Sequence, residues 1–373
     1  MSKLSTSPSK ASSRNLIIAL AVTVTIAAIG YIVVATHAAG PFALVDLSAS
    51  TPTAPAQIVA DPNTSSGKAV QFGTGTTTTP PDSGSATCPL PAYPNQSCTG
   101  VPANTKFTKT EGTYFATTAG EVIDSVHITG DLVIEAANVT VKNSQIDGHV
   151  DNEPAPSSSF TINDSSVGAI KGSYDVKTNC STEGWPSING HDFTANRVFL
   201  GGHQDGVDVV GNNVTVNDSV IQPCYQPPEV VGSDGFHTDG MQDQCSSTCS
   251  NITLSHNTID ARAFYKDPKT GVISSMGNSV LNLGSVADGK HAANVILRDN
   301  LFMGGGYSTD LQYDGMGNKW VVTNNSWVQD AWAYAPISTE GTCSNQTWSG
   351  NRIVTIDTNF AVTSTVRTTD CVN

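Results

Sequence analysis

The chain is short of charge, and shortest of positive charge. Asp, Glu, Lys and Arg make up 13% of its 373 residues, and 18 basic residues stand against 32 acidic ones, for a formal net charge of −14. That balance argues against nucleic acid as a partner and, without help, against any polyanion. Lys171, Lys177, Arg262, Lys266, Lys290 and Arg298 are too scattered along the chain to form a basic patch. A polyuronate would therefore need bound Ca²⁺ or a local basic patch, and the sequence leaves Ca²⁺ open as a cofactor, with the His203, Asp205, His237 and Asp239 group able to bind a metal ion as well as to do acid–base chemistry. Metal-binding cysteine spacing is missing as well. No Cys-x-x-Cys pair occurs, and Cys245-Ser-Ser-Thr-Cys249 has no matching second half.

What the chain does have is a recurring phrase. Polar and apolar residues alternate, and a polar pair or triplet then leads to a final apolar residue. It reads Asn138-Val-Thr-Val-Lys-Asn-Ser-Gln-Ile146 and returns from Asn213, Asn251 and Asn294, with weaker copies from Ser159, Asp192, Lys319 and Asn345. Successive copies are 21, 33, 21, 38, 43, 25 and 26 residues apart, the mark of a solenoid with insertions of variable length. Each copy alternates with period 2 and none has a helical stripe, so each is a strand with one buried face. Alone, a coil cannot bury that face. Val139 and Val141 need Phe160 and Ile162 beside them, then Phe193 and Ala195, and so on through Trp320 and Val322. Stacked strands of this kind make a parallel β-helix, with all eight phrases in one sheet. The low charge fraction, the 33 glycines and the Asn, Asp and Ser at the bends fit many strands and turns.

The ends of the chain differ in character. Residues 1–14 carry Lys3, Lys10 and Arg14, and residues 15–37 form an uncharged run long enough to cross a bilayer as a helix. With positive charge on the N-terminal side alone, the C-terminal bulk is expected outside the cytoplasm. Thr36-His-Ala38 also reads as a small-x-small cleavage site, so secretion is the alternative to a signal anchor. Residues 38–87 are rich in Pro, Thr, Ser, Ala and Gly and read as a flexible linker, leaving residues 88–373 as the solenoid. All eight cysteines lie beyond the anchor, which suggests disulfides. Proximity along the chain pairs Cys88 with Cys98, Cys180 with Cys224, Cys245 with Cys249, and Cys343 with Cys371.

Two coils share a second phrase, Gly202-His203-Gln-Asp205-Gly206-Val-Asp208 and Phe236-His237-Thr-Asp239-Gly240-Met-Gln242. Their acids are 34 residues apart, one long coil, so in register Asp205 would sit near Asp239 and His203 near His237. Two carboxylates one strand spacing apart share a field, which raises one pKa and provides an acid beside a base. Stacked Asp ladders are also common structural glue. Strict alternation would send Asp205 and His203 inward unless the chain bends at Gly206 or Gly240. Asp208, Gln242, Asn282 and Gln312 are expected as an outward polar row suited to a glycan chain or to a plain self-satisfied ladder. Trp320, Trp327 and Trp348 fall in apolar slots. Trp185 and Trp332, with Tyr265 and Tyr307, fall outside them and are candidates for stacking on sugar rings.

These phrases resemble those of the pectate-lyase-like superfamily of right-handed parallel β-helix proteins, and more narrowly secreted bacterial members of poorly defined activity. The resemblance runs from about residue 98 to 373 and rests on Gly100-Val-Pro-Ala-Asn-Thr105, Gly120-Glu-Val-Ile-Asp124, Ile128-Thr-Gly130, Asn138-Val-Thr-Val141 and, most specifically, His237-Thr-Asp239-Gly-Met-Gln242. It implies a right-handed parallel β-helix, so the whole chain is expected to be an all-β, single-stranded right-handed parallel β-helix preceded by the N-terminal transmembrane helix read from its charge and hydropathy. Asp205-Gly-Val-Asp208 also resembles part of the polygalacturonase site, but that family's Asp-Asp pair and Arg-Ile-Lys phrase are absent, as are the usual pectate lyase signatures. Three functions stay open. One is an anchored polysaccharide lyase or hydrolase, with His203, Asp205, His237 and Asp239 catalytic and Asp208, Gln242, Asn282, Gln312 and Trp185 holding substrate. Another is a non-catalytic surface protein that binds glycan or a neighbouring cell. The last is a purely structural wall protein. A monomer is expected in each case.

Overall fold

The computed structural model describes residues 56–60, 68–72, 88–168, 181, 183–224, 237–245, 248–262, 264–266, 273–275, 277–283, 291–313, 319–341 and 343–371. The expected membrane span lies outside the described residues. The chain divides into two units, Met1–Pro80 and Pro81–Asn373. In the first, an antiparallel pair, Ala56–Ala60 with Lys68–Phe72, interrupts the stretch expected to be a structureless linker. Its apolar residues Ile58, Val59, Val70 and Phe72 fall within two short β-prone runs, which composition averaged over 50 residues hides.

The second unit is a parallel β-helix of three sheets. Each turn of the solenoid visits them in a fixed order, for example Leu132–Ile134, then Val139–Lys142, then Gln145–Ile146. The sheet through Val139–Lys142 holds all eight phrases, in chain order, preceded by Val122–Asp124. We call it the phrase sheet. Its register is the one the alternation predicts. Val139 and Val141 pair with Phe160 and Ile162, then Phe193 and Ala195, Val214 and Val216, Ile252 and Leu254, Val295 and Leu297, Trp320 and Val322. All of these are buried in one continuous core. Trp327 joins them in that core, with Trp332 and Trp348 packed against it.

The phrase has a backbone reason for its length. Five copies begin and end on residues with left-handed φ: Asn138 and Asn143, Asp192 and Arg197, Asn213 and Asp218, Asn251 and His256, Asn294 and Asp299. A left-handed residue turns the chain sharply, and Asn and Asp tolerate it better than most. Two such corners, five residues apart, bracket the four residues of each phrase that carry its inward pair.

A second sheet, the tail sheet, takes the end of each phrase. Its inner corner carries a column of small polar residues. Ser144 and Ser219 accept from the backbone N–H of the preceding coil, at Val126 and Val198. In later coils asparagine takes over. Asn257, Asn300 and Asn325 each donate Nδ2 and backbone N–H to the Oδ1 of the next asparagine, at 2.9–3.2 Å, ending on Asn351. Every one of these buried amides also donates to a main-chain carbonyl (Val216, Leu254, Leu297 and Val322), so the column is satisfied throughout. The outer face of the tail sheet is covered by the segment after Cys88, where Tyr93 packs on Leu301, Met303, Val328 and Val354. At the C-terminal end, Val362–Thr368 lies antiparallel on Arg352–Ile356 and closes the sheet.

Three expected disulfides are present: Cys88–Cys98, Cys245–Cys249 and Cys343–Cys371. Cys224 is also disulfide-bonded, and its expected partner Cys180 lies outside the described residues.

Candidate functional site

The third sheet carries both Asp-Gly phrases. Its strands include Pro186–Gly190, Asp205–Val209, Thr238–Asp243, Gly277–Leu283, Tyr307–Tyr313 and Ala335–Gly341, stacked in that order. Val207, Met241, Leu281 and Leu311 point into the core, so Asn189, Asp208, Gln242, Asn282 and Asp310 form a row on the outer face. This corrects the expected row at its last member. Asn282 pairs with Asp310, whereas Gln312 is two positions on and pairs with Glu340.

Glycine explains how the acids reach this face. A Cβ on Gly206 would stand 2.3 Å from the carbonyl of Gly240, and one on Gly240 would stand 2.4 Å from that of Val280. The chain therefore packs too tightly there for any side chain. Asp205, although 2% exposed, turns its carboxyl toward Gln242 of the outer row. Its Oδ1 accepts from the N–H of Asp239 at 2.6 Å, and its Oδ2 accepts from Nε2 of Gln242 at 2.9 Å. The Gln242 amide also bonds to Asp208. Asp239 repeats the pattern one coil on, accepting from the backbone of Ser279 and, through both oxygens, from Nδ2 of Asn278 at 3.1 and 3.2 Å. Asn278 is the extra residue of a bulge, since Thr238 pairs with Gly277 and Asp239 with Ser279. Bulges re-aim side chains, and this one aims an amide at a carboxyl.

Two carboxyls thus share one glutamine, and the third, Asp239, is tied to Asp205 through its backbone N–H. Burial is the main cause that raises all of them. It lifts Asp239 to about 7, helped by the charges of Asp208 and Asp310. Asp208 is lifted to about 6, with Glu153 adding to the effect. Asp205 is raised well above its ordinary range, by burial and then by Asp208 and Asp239. One oxygen of Asp208, Oδ1, is shut off from water without a hydrogen-bond partner.

The four residues singled out by the repeated His-x-Asp phrase do not share one exposed surface, as they were expected to. Asp205 and Asp239 come together but are 2% and 1% exposed. His203 is buried and turned toward another coil, its Nε2 3.2 Å from the carbonyl oxygen of Gly148. Burial lowers its pKa to about 4. His237 is exposed, and its carbonyl accepts from the Gln204 amide. The histidines separate because the chain before each acid runs through a corner, where residues at equal sequence offsets need not superpose. Sequence reasoning also missed Asn278, Asn189 and Asp310. Only Asp310 carried a signal, as the acid two places before Gln312. Among the described residues, no group of three or more His, Cys, Asp or Glu side chains is arranged to hold a metal ion.

No family model matches the chain. No curated protein matches it either. Three solved structures are similar at low overall agreement. The A-module of a mannuronan C-5 epimerase from Azotobacter vinelandii has 13% identity and a TM-score of 0.32, over 63% of this chain and 65% of that one. Tailspike protein 2 of an Escherichia coli O157:H7 bacteriophage has 9% identity and a TM-score of 0.25, over 70% of this chain and 36% of that one. An alginate lyase from a Paenibacillus strain has 12% identity and a TM-score of 0.19, over 65% of this chain and 99% of that one. The chain therefore spans less than two thirds of the first two.

The raised carboxyls have a consequence for stability. Between about pH 4 and pH 7 the folded protein keeps protons on Asp239 that the unfolded chain, with its carboxyl at 3.8, has released. Folded stability therefore falls as pH rises through that window. His203, lowered from 6.5 to about 4, acts in the opposite sense over part of the same range. Three raised carboxyls outweigh one imidazole. The melting temperature should be higher at pH 5 than at pH 8, and Asp239→Asn should narrow the gap by raising the value at pH 8. Thermal melts at the two pH values check this, and an unchanged gap in the variant would contradict it.

Proposed function

We propose that the outer face of the third sheet cleaves polysaccharide by hydrolysis. The observation that carries this reading is the cluster of three raised carboxyls, Asp205 and Asp208 sharing Gln242 and Asp239 joined to Asp205 through its backbone N–H. Adjacent carboxyls that cannot all ionise keep a proton at neutral pH, which is what glycoside hydrolysis asks of a carboxyl pair. Asp239, at about 7, is the group suited to protonate a leaving oxygen. Asp208, at about 6, is the candidate base, and to activate water its side chain would have to turn its shut-off Oδ1 outward. Asp205 spends both oxygens on Asp239 and Gln242, so its role is to position them. A lyase needs a base beside the proton it removes. His203 is turned away and holds a proton weakly, which favours hydrolase over lyase.

A second reading, glycan binding without turnover, is favoured by the burial of Asp205 and Asp239 and by their bonds to the next coil, which make them part of a ladder. In either reading the N-terminal run would hold the domain outside the cytoplasm, as an uncleaved anchor or a processed leader. Incubation with a panel of polysaccharides separates the possibilities. New reducing ends without ultraviolet-absorbing unsaturated ends are the expected result. Unsaturated ends would move the reaction to a lyase. Binding without any new ends would leave the surface-protein reading.

A further inference from the structure

The segment that covers the tail sheet is a loop closed by the Cys88–Cys98 disulfide. Its apex, Ala92-Tyr93-Pro94, carries close contacts to the solenoid. Tyr93 is 1% exposed and donates its hydroxyl to Oγ of Ser326 at 2.8 Å. Thr258 Oγ1 donates to the Pro94 carbonyl at 2.6 Å. Leu301, Met303 and Val354, which pack with Tyr93, are shut off from water. Not all of the loop packs down. A cavity of about 210 Å³ opens between Cys88, Pro89, Pro94 and Cys98 on the loop side and Arg197 and Asp218 on the solenoid side. Gln96 reaches Gln222 only at 3.5 Å.

A further tie at the apex is an imidazole. His256 stands at the left-handed corner that ends its phrase. Its Nδ1 is 2.6 Å from Oδ1 of Asp218, and its Nε2 is 2.8 Å from the carbonyl oxygen of Ala92. Both neighbours are acceptors. A neutral imidazole has one N–H and one lone pair, so only the imidazolium satisfies both contacts. When a proton leaves, the Asp218 carboxylate, the stronger acceptor, retains the remaining N–H. The lone pair on Nε2 then faces the Ala92 oxygen, and a bond becomes a repulsion. The charges around the ring favour the cation. Asp218 and Asp299 act on it directly, and Arg197, across the cavity, is already paired with Asp164 at 2.7 Å. Arg298 meets His256 through its backbone carbonyl, and the Tyr93 ring centre is 6.2 Å away. Burial works against the charged ring, but the bonds to Asp218 and Ala92 and the nearby acids outweigh it, so the pKa stands above 6.5.

We propose that His256 is a proton-operated latch on the Cys88–Cys98 loop. With the ring charged, the loop is pinned over Leu301, Met303 and Val354. With the ring neutral, the loop lifts and uncovers this apolar patch. The hold is full in acid and is lost as pH rises above 6.5 through the raised value.

Peroxide oxidation of the full chain, read by mass spectrometry, tests this, because a methionine must be reached before it becomes a sulfoxide. Met303 and Met241 are both fully buried, Met303 against the loop and Met241 in the main core. Between pH 6 and pH 9 the oxidation of Met303 should rise on the order of tenfold, since each unit of raised pKa is worth a factor of about ten in docking. Met241 should stay slow at both. In His256→Asn, Met303 should oxidise fast at both pH values. Asparagine suits the left-handed corner, as Asn143 does in an earlier coil, but is too short to reach Ala92. Asp218→Asn should move the rise to lower pH, because the ring then gives up its proton more readily. Met303 oxidation that ignores pH in the parent, or a rise that survives in His256→Asn, would overturn the latch. A rise shared equally by Met241 would trace to loosening of the whole solenoid and would overturn it too.

Discussion

Replacing Asp239 with asparagine is expected to lower the release of reducing ends by roughly 10²–10⁴-fold, the range over which a positioned acid or base contributes. The substitution removes the charge and one of the two oxygens that accept from Nδ2 of Asn278, and keeps the other to accept from Asn278 and the backbone of Ser279. Folding should therefore survive, and above pH 7 it should improve, since a carboxyl held at about 7 by burial is a cost there. Activity lost with stability gained is the signature of a group kept in an unfavourable state for its chemistry. The alternative makes the opposite forecast. If the carboxyl is a rung in a ladder and nothing more, Asp239→Asn leaves turnover unchanged. The measurement is initial rate against pH for both proteins, with thermal melts beside it. A parent enzyme whose rate falls as pH rises past 7, and a variant without that limb, would place the acid role on Asp239.

The largest loss of stability is expected from the asparagine column. In Asn300→Ala, the backbone N–H of Asn257 and the carbonyl of Leu254 both lose a partner in a site with no access to water. Each orphaned group costs about 1–3 kcal/mol, and the vacated space adds to it, for a total of roughly 3–5 kcal/mol. Against the ~5–15 kcal/mol that holds a typical domain folded, this is a large share. Asn300→Ser should be milder, because serine fills the same column at Ser219 and its Oγ accepts from a backbone N–H there. Denaturant melts of the two variants measure the difference. Equal, small losses in both would mean that water replaces the amide.

Much of this architecture was legible before any coordinates because the phrase sheet obeys two local rules. Alternation tells which of Val139, Thr140 and Val141 face inward. The left-handed Asn and Asp at the corners mark where each strand stops, so the pairing of Val139 with Phe160 and Phe193 can be counted. The third sheet obeys neither rule as well. Thr309-Asp-Leu-Gln312 offers two outward polar positions, and only the actual pairing of Asn282 decides for Asp310. The bulge at Asn278 shifts the register by one, and no composition signal marks it. Likewise, the His-x-Asp repeat suggested two equivalent histidines. It could not reveal that His203 leaves the sheet to meet Gly148, since that contact joins residues 55 apart.

The bracketing corners and the asparagine column together make each coil a unit that can be copied. A duplicated coil brings its own two corners, its own inward pair and its own amide. That amide would find the same neighbours above and below as Asn300 does now. The outer polar row of the third sheet would lengthen by one step of ~4.8 Å without any rung being redesigned. In lineages built this way, the length of the outer face changes by whole steps, as a ruler gains marks, and not by gradual reshaping of a pocket.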